Sequence, residues 1–189
     1  MTPEPDEWTA LRSRPVDATP AQERERWQKL WALVYVDGVW ARSKNDRAYV
    51  VAKGLLYASE DRDWSFVGTL SQRYLSAWKQ GVSPSGPALV AALVGWDVAE
   101  LVIGNGEAAL TRLLQRPHGL VPGQKSYRYS MIFHLMNALR DPLPEVTFER
   151  IRQIVLELEA TGDPGKGSAP ASASLSTNEG LTERLLWVV

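Results

Sequence analysis

The feature that most constrains the fold is a succession of apolar residues at helical spacing, each run set between residues that start or stop helices. After Thr19, a typical N-cap, and Pro20, which suits a first helical turn, Trp27, Leu30 and Trp31 fall on one helix face. Similar runs begin near residues 43, 61, 87, 107, 125 and 144. The sequence therefore predicts an all-α fold, a single bundle of about seven helices.

One short segment departs from this helical pattern. Asp37–Gly38 lies between apolar, β-branched residues, a combination typical of a tight β-hairpin turn. Because no other segment supplies strands for a sheet, and a lone hairpin is marginally stable, a bent or broken helix is the favoured interpretation. A short hairpin is the alternative at this position.

The composition fits one globular domain with tails. Of the 189 residues, 44% are hydrophobic and 23% are charged, which is ordinary for a folded protein. The net charge of −1 gives no overall field for a nucleic acid or a membrane, so an electrostatic function would depend on local clusters. The absence of cysteine excludes disulfides, thiolate nucleophiles and zinc–sulfur sites.

The chain divides into four predicted segments. Residues 1–18 are interpreted as an irregular N-terminal arm, and residues 19–161 as the helical domain. Residues 162–180 are rich in Gly, Ser, Ala and Pro, which predicts a flexible linker. The linker is followed by residues 181–189, an apolar segment that we call the C-terminal tip.

The N-terminus and the most apolar run bear on location. The N-terminus is acidic and proline-rich and lacks the basic start of a signal peptide, so a cytoplasmic protein is expected. The excess of arginine over lysine is common in high-GC bacteria. The run from Pro87 to Gly104 contains Asp97 and Glu100, so it predicts a core helix and not a membrane span.

A long acid-free segment is the first candidate binding feature. Between Ala108 and Arg140 the sequence has no Asp or Glu, and basic residues alternate with aromatic ones, as binding of phosphates and unstacked bases requires. A solvated basic face is the simpler interpretation, and helical spacing predicts that Tyr129 points inward. The candidate nucleic-acid contacts are Arg112, Arg116, Lys125, Tyr127 and Arg128, joined by Arg42, Lys44 and Arg47 from a second basic cluster.

The C-terminal tip is the second candidate. Apolar residues at the end of a tether usually have a partner surface, and the tether raises their local concentration near it. Two interpretations stay open: the tip folds back on its own domain as a latch, or it inserts into another protein or a second copy. The candidate docking residues are Leu181, Leu185, Leu186, Trp187, Val188 and Val189.

Residues typical of catalytic sites have simpler structural explanations. Glu60, Asp61 and Asp63 surround a helix start, where acids cap the helix and oppose its dipole. His134 lies among apolar residues and is interpreted as a core or boundary histidine. We therefore expect no enzyme activity, no cofactor and no metal site.

The favoured hypothesis is a non-enzymatic helical adaptor or assembly subunit. It would bind a protein partner, or a second copy of itself, through the C-terminal tip. The alternative is a nucleic-acid-binding helical subunit of a bacterial repair or defence complex, such as a CRISPR effector, that contacts phosphates through residues 108–140. No membrane partner is expected.

Overall fold

The computed structural model describes residues 6–13, 17–83, 86–104, 106–115, 124–161 and 173–188, without the side chains of residues 124–126. The all-α class is confirmed, and these residues form nine helices and one small hairpin, two helices more than predicted. The elements are α1 (Glu7–Arg12), α2 (Pro20–Val34), β1 (Tyr35–Val36), β2 (Val39–Trp40), α3 (Lys44–Glu60), α4 (Trp64–Lys79), α5 (Pro87–Ile103), α6 (Gly106–Gln115), α7 (Gln124–Ala138), α8 (Glu145–Ala160) and α9 (Asn178–Val188).

The extra helix at the N-terminus corrects the prediction of an irregular arm. Asp6 caps α1 by accepting a hydrogen bond from the backbone N–H of Thr9 at 2.9 Å. Trp8 is buried in a small apolar cluster with Leu30 of α2 and Val50 of α3. A helix of six residues is unstable in isolation, so packing of Trp8 stabilises α1. The six residues alone do not predict this helix.

The predicted helix starts are confirmed at three positions. Thr19 accepts from the backbone N–H of Gln22, whose side chain accepts in return from Thr19, so α2 begins with a capping box. Ser43 caps α3 through the N–H of Asp46, and Asp63 caps α4. These local signals place the first three long helices of the bundle.

The segment at Asp37–Gly38 is a hairpin, so the favoured interpretation of a broken helix is wrong. Asp37 and Gly38 both have positive φ, 49° and 82°. A two-residue hairpin turn has positive φ at both positions because this geometry matches the right-handed twist of the two strands. Tyr35 pairs with Trp40 across the strands, and the Tyr35 ring stacks on Trp31 of α2 at 5.1 Å. The aromatic packing against α2 supplies the stability that a larger sheet would otherwise provide.

Helix α5 lies at the centre of the bundle and contacts α3, α4, α6, α7 and α8. Ala92, Val98 and Leu101 of α5 are buried in the main core, as its apolar sequence predicts. The described helices include none that is both long and apolar enough to cross a membrane.

The orientation predicted for Tyr129 of α7 is wrong. Tyr129, expected to point inward, is 49% exposed, whereas Tyr127 is 2% exposed. Because α7 contacts α3, α5 and α9, its buried face is wide and includes Met131, Ile132 and Leu135. A helix enclosed on several sides shows no clear amphipathic stripe, and spacing alone could not orient it.

Candidate functional site

The C-terminal tip lies against its own domain. Leu181 and Leu185 of α9 have no exposed surface, and Val188 is 7% exposed; all three belong to the main core, beside α7 and α8. This is the latch arrangement. The other docking candidates are Leu186, which is exposed, Trp187, which is half-buried, and Val189, which is outside the described residues.

Polar contacts fix both ends of α9. The Asn178 side-chain amide donates to the backbone carbonyls of Leu139 and Asp141 at 3.0 and 2.9 Å, which satisfies groups at the end of α7. Near its other end, Arg184 forms a two-pronged ion pair with Glu159 of α8, with both N–O distances at 2.7 Å. Arg184 also donates to the backbone carbonyl of Ala173 at 3.1 Å, so its contacts hold the segment that precedes α9 as well as the helix itself.

Arg112, the first candidate nucleic-acid contact, is held between two carboxylates. Its Nε donates to Asp97 at 2.6 Å, its guanidinium also pairs with Glu100, and it lies 5.2 Å from the centre of the Trp96 ring. Burial lowers the pKa of Arg112, but its hydrogen bonds with both acids raise that pKa by more. A phosphate would have to displace these carboxylates to reach this side chain.

The second basic cluster is also involved in internal contacts. Arg47 donates to two backbone carbonyls, at 2.9 and 3.1 Å, and so joins the hairpin to the end of α4. Arg42 lies 3.7 Å from Asp6. Lys44 is exposed and has no partner among the described residues.

Among the described residues, the remaining nucleic-acid candidates do not form a basic surface. Arg128 donates to the backbone carbonyl of Leu158 at 2.7 Å, and burial lowers the pKa of its guanidinium. Tyr127 is buried and offers no ring face for a base. Arg116 and the Lys125 side chain lie outside the described part of the chain.

The acids near the start of α4 have structural contacts. Arg24 of α2 pairs with Asp61 at 2.7 Å and with Glu60 at 3.3 Å, and Asp63 caps α4. In the part of the chain that the structure describes, no group of three His, Asp or Glu residues is placed to hold a metal ion.

His134 is enclosed between α3 and α7. Its Nδ1 lies 2.8 Å from the Ser59 hydroxyl, which also accepts from the Asn137 amide at 3.3 Å. The side chain is 2% exposed, and burial lowers its pKa to about 4. His134 is therefore a neutral core histidine at physiological pH.

The buried His134 predicts that stability falls in acid. The unfolded chain takes up a proton near pH 6.5, whereas the folded chain does so only near pH 4, so the stabilisation is complete above pH 6.5 and is lost as the pH falls towards 4. The free energy of unfolding should decrease by about 3 kcal/mol across this window, as measured by urea denaturation at several pH values. In His134→Gln the free energy of unfolding should lose about 3 kcal/mol less over the same pH range, because no histidine is left at this position to take up the proton. The same acid dependence in the variant and the wild type would contradict the interpretation of His134 as a neutral core histidine.

A groove beside α8 has a volume of about 910 Å³. We call it the α8 groove. It is lined by Glu107 and Leu110 of α6, by seven residues of α8 between Glu145 and Gln153, and by Leu175 and Ser176. Its apolar residues are Leu110, Phe148 and Leu175, which are wholly or partly buried, and Val146, which is 60% exposed. An exposed valine in a concave apolar surface is what a partner side chain can cover.

Ion pairs border the α8 groove. Arg150 pairs with Glu107 at 2.8 Å, and Arg152 binds both carboxylate oxygens of Glu149, a hydrogen bond that lowers the pKa of this acid. Glu145 is exposed and pairs with no described cation. The charged residues that line the groove, three acids and two arginines, therefore nearly balance one another.

Sequence reasoning did not find the α8 groove. Phe148 lies in the apolar run that begins near residue 144, where helical spacing with Ile151, Val155 and Leu158 predicts a buried face. Val146 lies off that face, and Leu175 lies in the predicted linker. The one available signal was an isolated apolar residue on the polar side of a helix, which is common on protein surfaces. The groove depends on three segments that are distant in the sequence.

Comparisons with protein-family models, with curated proteins and with solved structures give no match. The functional proposal therefore rests on the geometry of the described residues.

Proposed function

We propose that the chain is a non-catalytic helical protein-binding subunit and that the α8 groove is its docking surface. The observation that carries this proposal is the 60% exposure of Val146 in a groove that is also lined by buried Leu110 and by partly buried Phe148 and Leu175. A single exposed valine on a convex surface would need no explanation. In a groove of about 910 Å³ it supplies an apolar contact that a partner can desolvate.

The charge distribution suits a protein segment as the ligand. Protein interfaces combine an apolar centre with a polar rim, and the ion pairs Arg150–Glu107 and Arg152–Glu149 supply such a rim. An amphipathic helix or an extended segment could lay its apolar side chains against Val146 and Phe148. The partner's polar side chains would then meet a rim that bears little net charge.

The C-terminal segment has an indirect role in this proposal. Leu175 and Ser176 form one wall of the α8 groove, and the packing of α9 immediately after them holds that wall in place. The tip would therefore act as a structural support for the binding surface and not as the inserted peptide. Self-association through Leu181 and Leu185 would first require α9 to leave the core.

The nucleic-acid alternative has less support from the described residues. Phosphate binding needs several cations that can exchange water for phosphate oxygens. Arg112 is bound to two acids, and Arg47 and Arg128 are bound to backbone carbonyls. The alternative then depends on Lys44 and on the two candidates outside the described side chains.

The proposal is tested by photo-crosslinking. A photoreactive amino acid replaces Val146 in one variant and Ile103 in another, because both side chains are 60% exposed and Ile103 does not line the groove. Each variant is irradiated in cells of the source organism, and the crosslinked products are identified by mass spectrometry. We expect a protein that crosslinks from position 146 and not from position 103.

Two outcomes would contradict the proposal. Equal crosslinking from both positions would show that the groove has no selectivity. Steeply salt-dependent binding of a labelled oligonucleotide by the purified protein, with no protein crosslink from position 146, would support the nucleic-acid alternative instead.

A further inference from the structure

A second cleft, of about 420 Å³, lies between the hairpin and α4. It is lined by Tyr35, Gly38 and Trp40 of the hairpin and by side chains of α4 between Thr69 and Gln80. We call it the hairpin cleft. It shares no lining residue with the α8 groove, so substitutions in one surface leave the other unchanged in composition.

Arg73, in the hairpin cleft, differs from most arginines of the protein. The other described arginines, except Arg140, bind a carboxylate or, as Arg47 and Arg128 do, a backbone carbonyl. Within the described residues, Arg73 and Arg140 do neither. Arg73 therefore keeps its guanidinium hydrogen-bond donors available for a ligand.

The guanidinium of Arg73 is positioned by the aromatic cluster. Its central carbon lies 4.9 Å from the centre of the Tyr35 ring, within the range of a cation–π contact. Tyr35 is itself packed between Trp31, at 5.1 Å, and Trp40, at 5.0 Å. Arg73 is exposed, but its contact with this fixed ring restricts the guanidinium, so Arg73 loses less conformational entropy on binding a ligand than an exposed arginine without such a contact would.

The other groups in the hairpin cleft are neutral. Among the described residues that line it there is no acid. Helix α4 contributes the polar side chains of Thr69, Gln72 and Ser76, and Gln80 follows at the end of the helix. Hydroxyl and amide groups can donate to an anion beside the guanidinium. A carboxylate matches this set of donors, because its two oxygens accept in parallel from an arginine fork.

We propose that the hairpin cleft binds an acidic side chain, Asp or Glu, in a segment of a partner protein. The described lining has one cation, which suits a single carboxylate, whereas tracking a nucleic-acid backbone requires several. The half-buried rings of Tyr35 and Trp40 would pack against the apolar part of the same segment.

The experiment is an NMR titration of the ¹⁵N-labelled full-length protein with two short peptides. The probes are acetyl-Leu-Glu-Leu-amide and its glutamine counterpart, which differ in one charge. The readouts are the side-chain Nε–H signal of Arg73 and the indole N–H signal of Trp40. We expect the glutamate peptide to shift both signals in a saturable way and the glutamine peptide to bind at least about tenfold more weakly.

Variants assign the effect to one side chain. Arg73→Gln should weaken binding of the glutamate peptide by about tenfold, whereas Arg140→Gln, which removes the other arginine without a described partner, should leave it unchanged. Equal binding of the two peptides by the wild-type protein would overturn the proposal even if Arg73→Gln failed to fold. Tighter binding of a ten-nucleotide thymidine oligomer than of the glutamate peptide, with loss in Arg73→Gln, would overturn it in favour of a nucleic-acid site.

Discussion

Deleting residues 178–189 should lower the free energy of unfolding by at least about 5 kcal/mol, because three core side chains are removed together. Leu181 and Leu185 have no exposed surface and Val188 is 7% exposed, so burial of each contributes roughly 1.5–3 kcal/mol. The deletion also exposes the faces of α7 and α8 that α9 covers. We expect the melting temperature to fall by about 10–20 °C, measured by calorimetry.

Point variants separate the loss of packing from other effects of the deletion. Leu185→Ala should cost about 2–5 kcal/mol in urea denaturation, since it leaves a cavity in the main core. Leu186→Ala is the matched control, because Leu186 is 58% exposed and its truncation should change stability by less than about 0.5 kcal/mol. Equal and small effects of both variants would contradict the latch and return the tip to a docking role.

Replacing Arg112 by Met should destabilise the protein by about 3 kcal/mol or more, because it leaves the carboxylate of Asp97 buried without this cation. The Asp97 side chain is 0% exposed and lies 2.6 Å from the Arg112 Nε. Breaking a fully buried ion pair costs about 3–5 kcal/mol, and because the Arg112 side chain is 30% exposed we expect a loss of stability close to 3 kcal/mol. Chemical denaturation of the purified variant measures it.

A double-mutant cycle identifies the source of this loss. In an Asp97→Asn background, Arg112→Met should cost much less than in the wild type, because the buried charge is gone. The control is Arg152→Met, which breaks a pair with Glu149 whose side chains are 34% and 45% exposed, and it should cost less than about 1 kcal/mol. The same cost for Arg112→Met in both backgrounds would contradict a structural role for the pair.

The fold class and several helix starts could be predicted because their signals are local. Thr19 with Gln22, and Ser43 with Asp46, lie three residues apart, and their geometry follows from the helix alone. The turn at Asp37–Gly38 was also a local signal. A lone hairpin is expected to need a larger sheet for stability, but here α2 supplies the surface against which the hairpin packs.

The candidate sites were harder to predict because they depend on contacts between distant residues. The sequence shows the charge of Arg112 but not that Asp97, on the preceding helix, holds it. The sequence likewise shows no difference between Arg73 and the other arginines, since the difference is the absence of a described carboxylate or carbonyl partner. Helical spacing predicts that Tyr129 points inward, whereas the structure buries Tyr127 and leaves Tyr129 exposed. Spacing does not identify the buried side of α7 because other helices enclose it on several sides.

Whether the α8 groove binds a protein partner is decided by measuring the affinity for the protein that crosslinks from position 146. Isothermal titration calorimetry should give a dissociation constant at least about tenfold higher for Val146→Glu, because a charge would enter the apolar centre of the interface. Ile103→Glu, with the same 60% exposure outside the groove, should bind like the wild type. An unchanged affinity for Val146→Glu, or an equal loss for Ile103→Glu, would contradict the account.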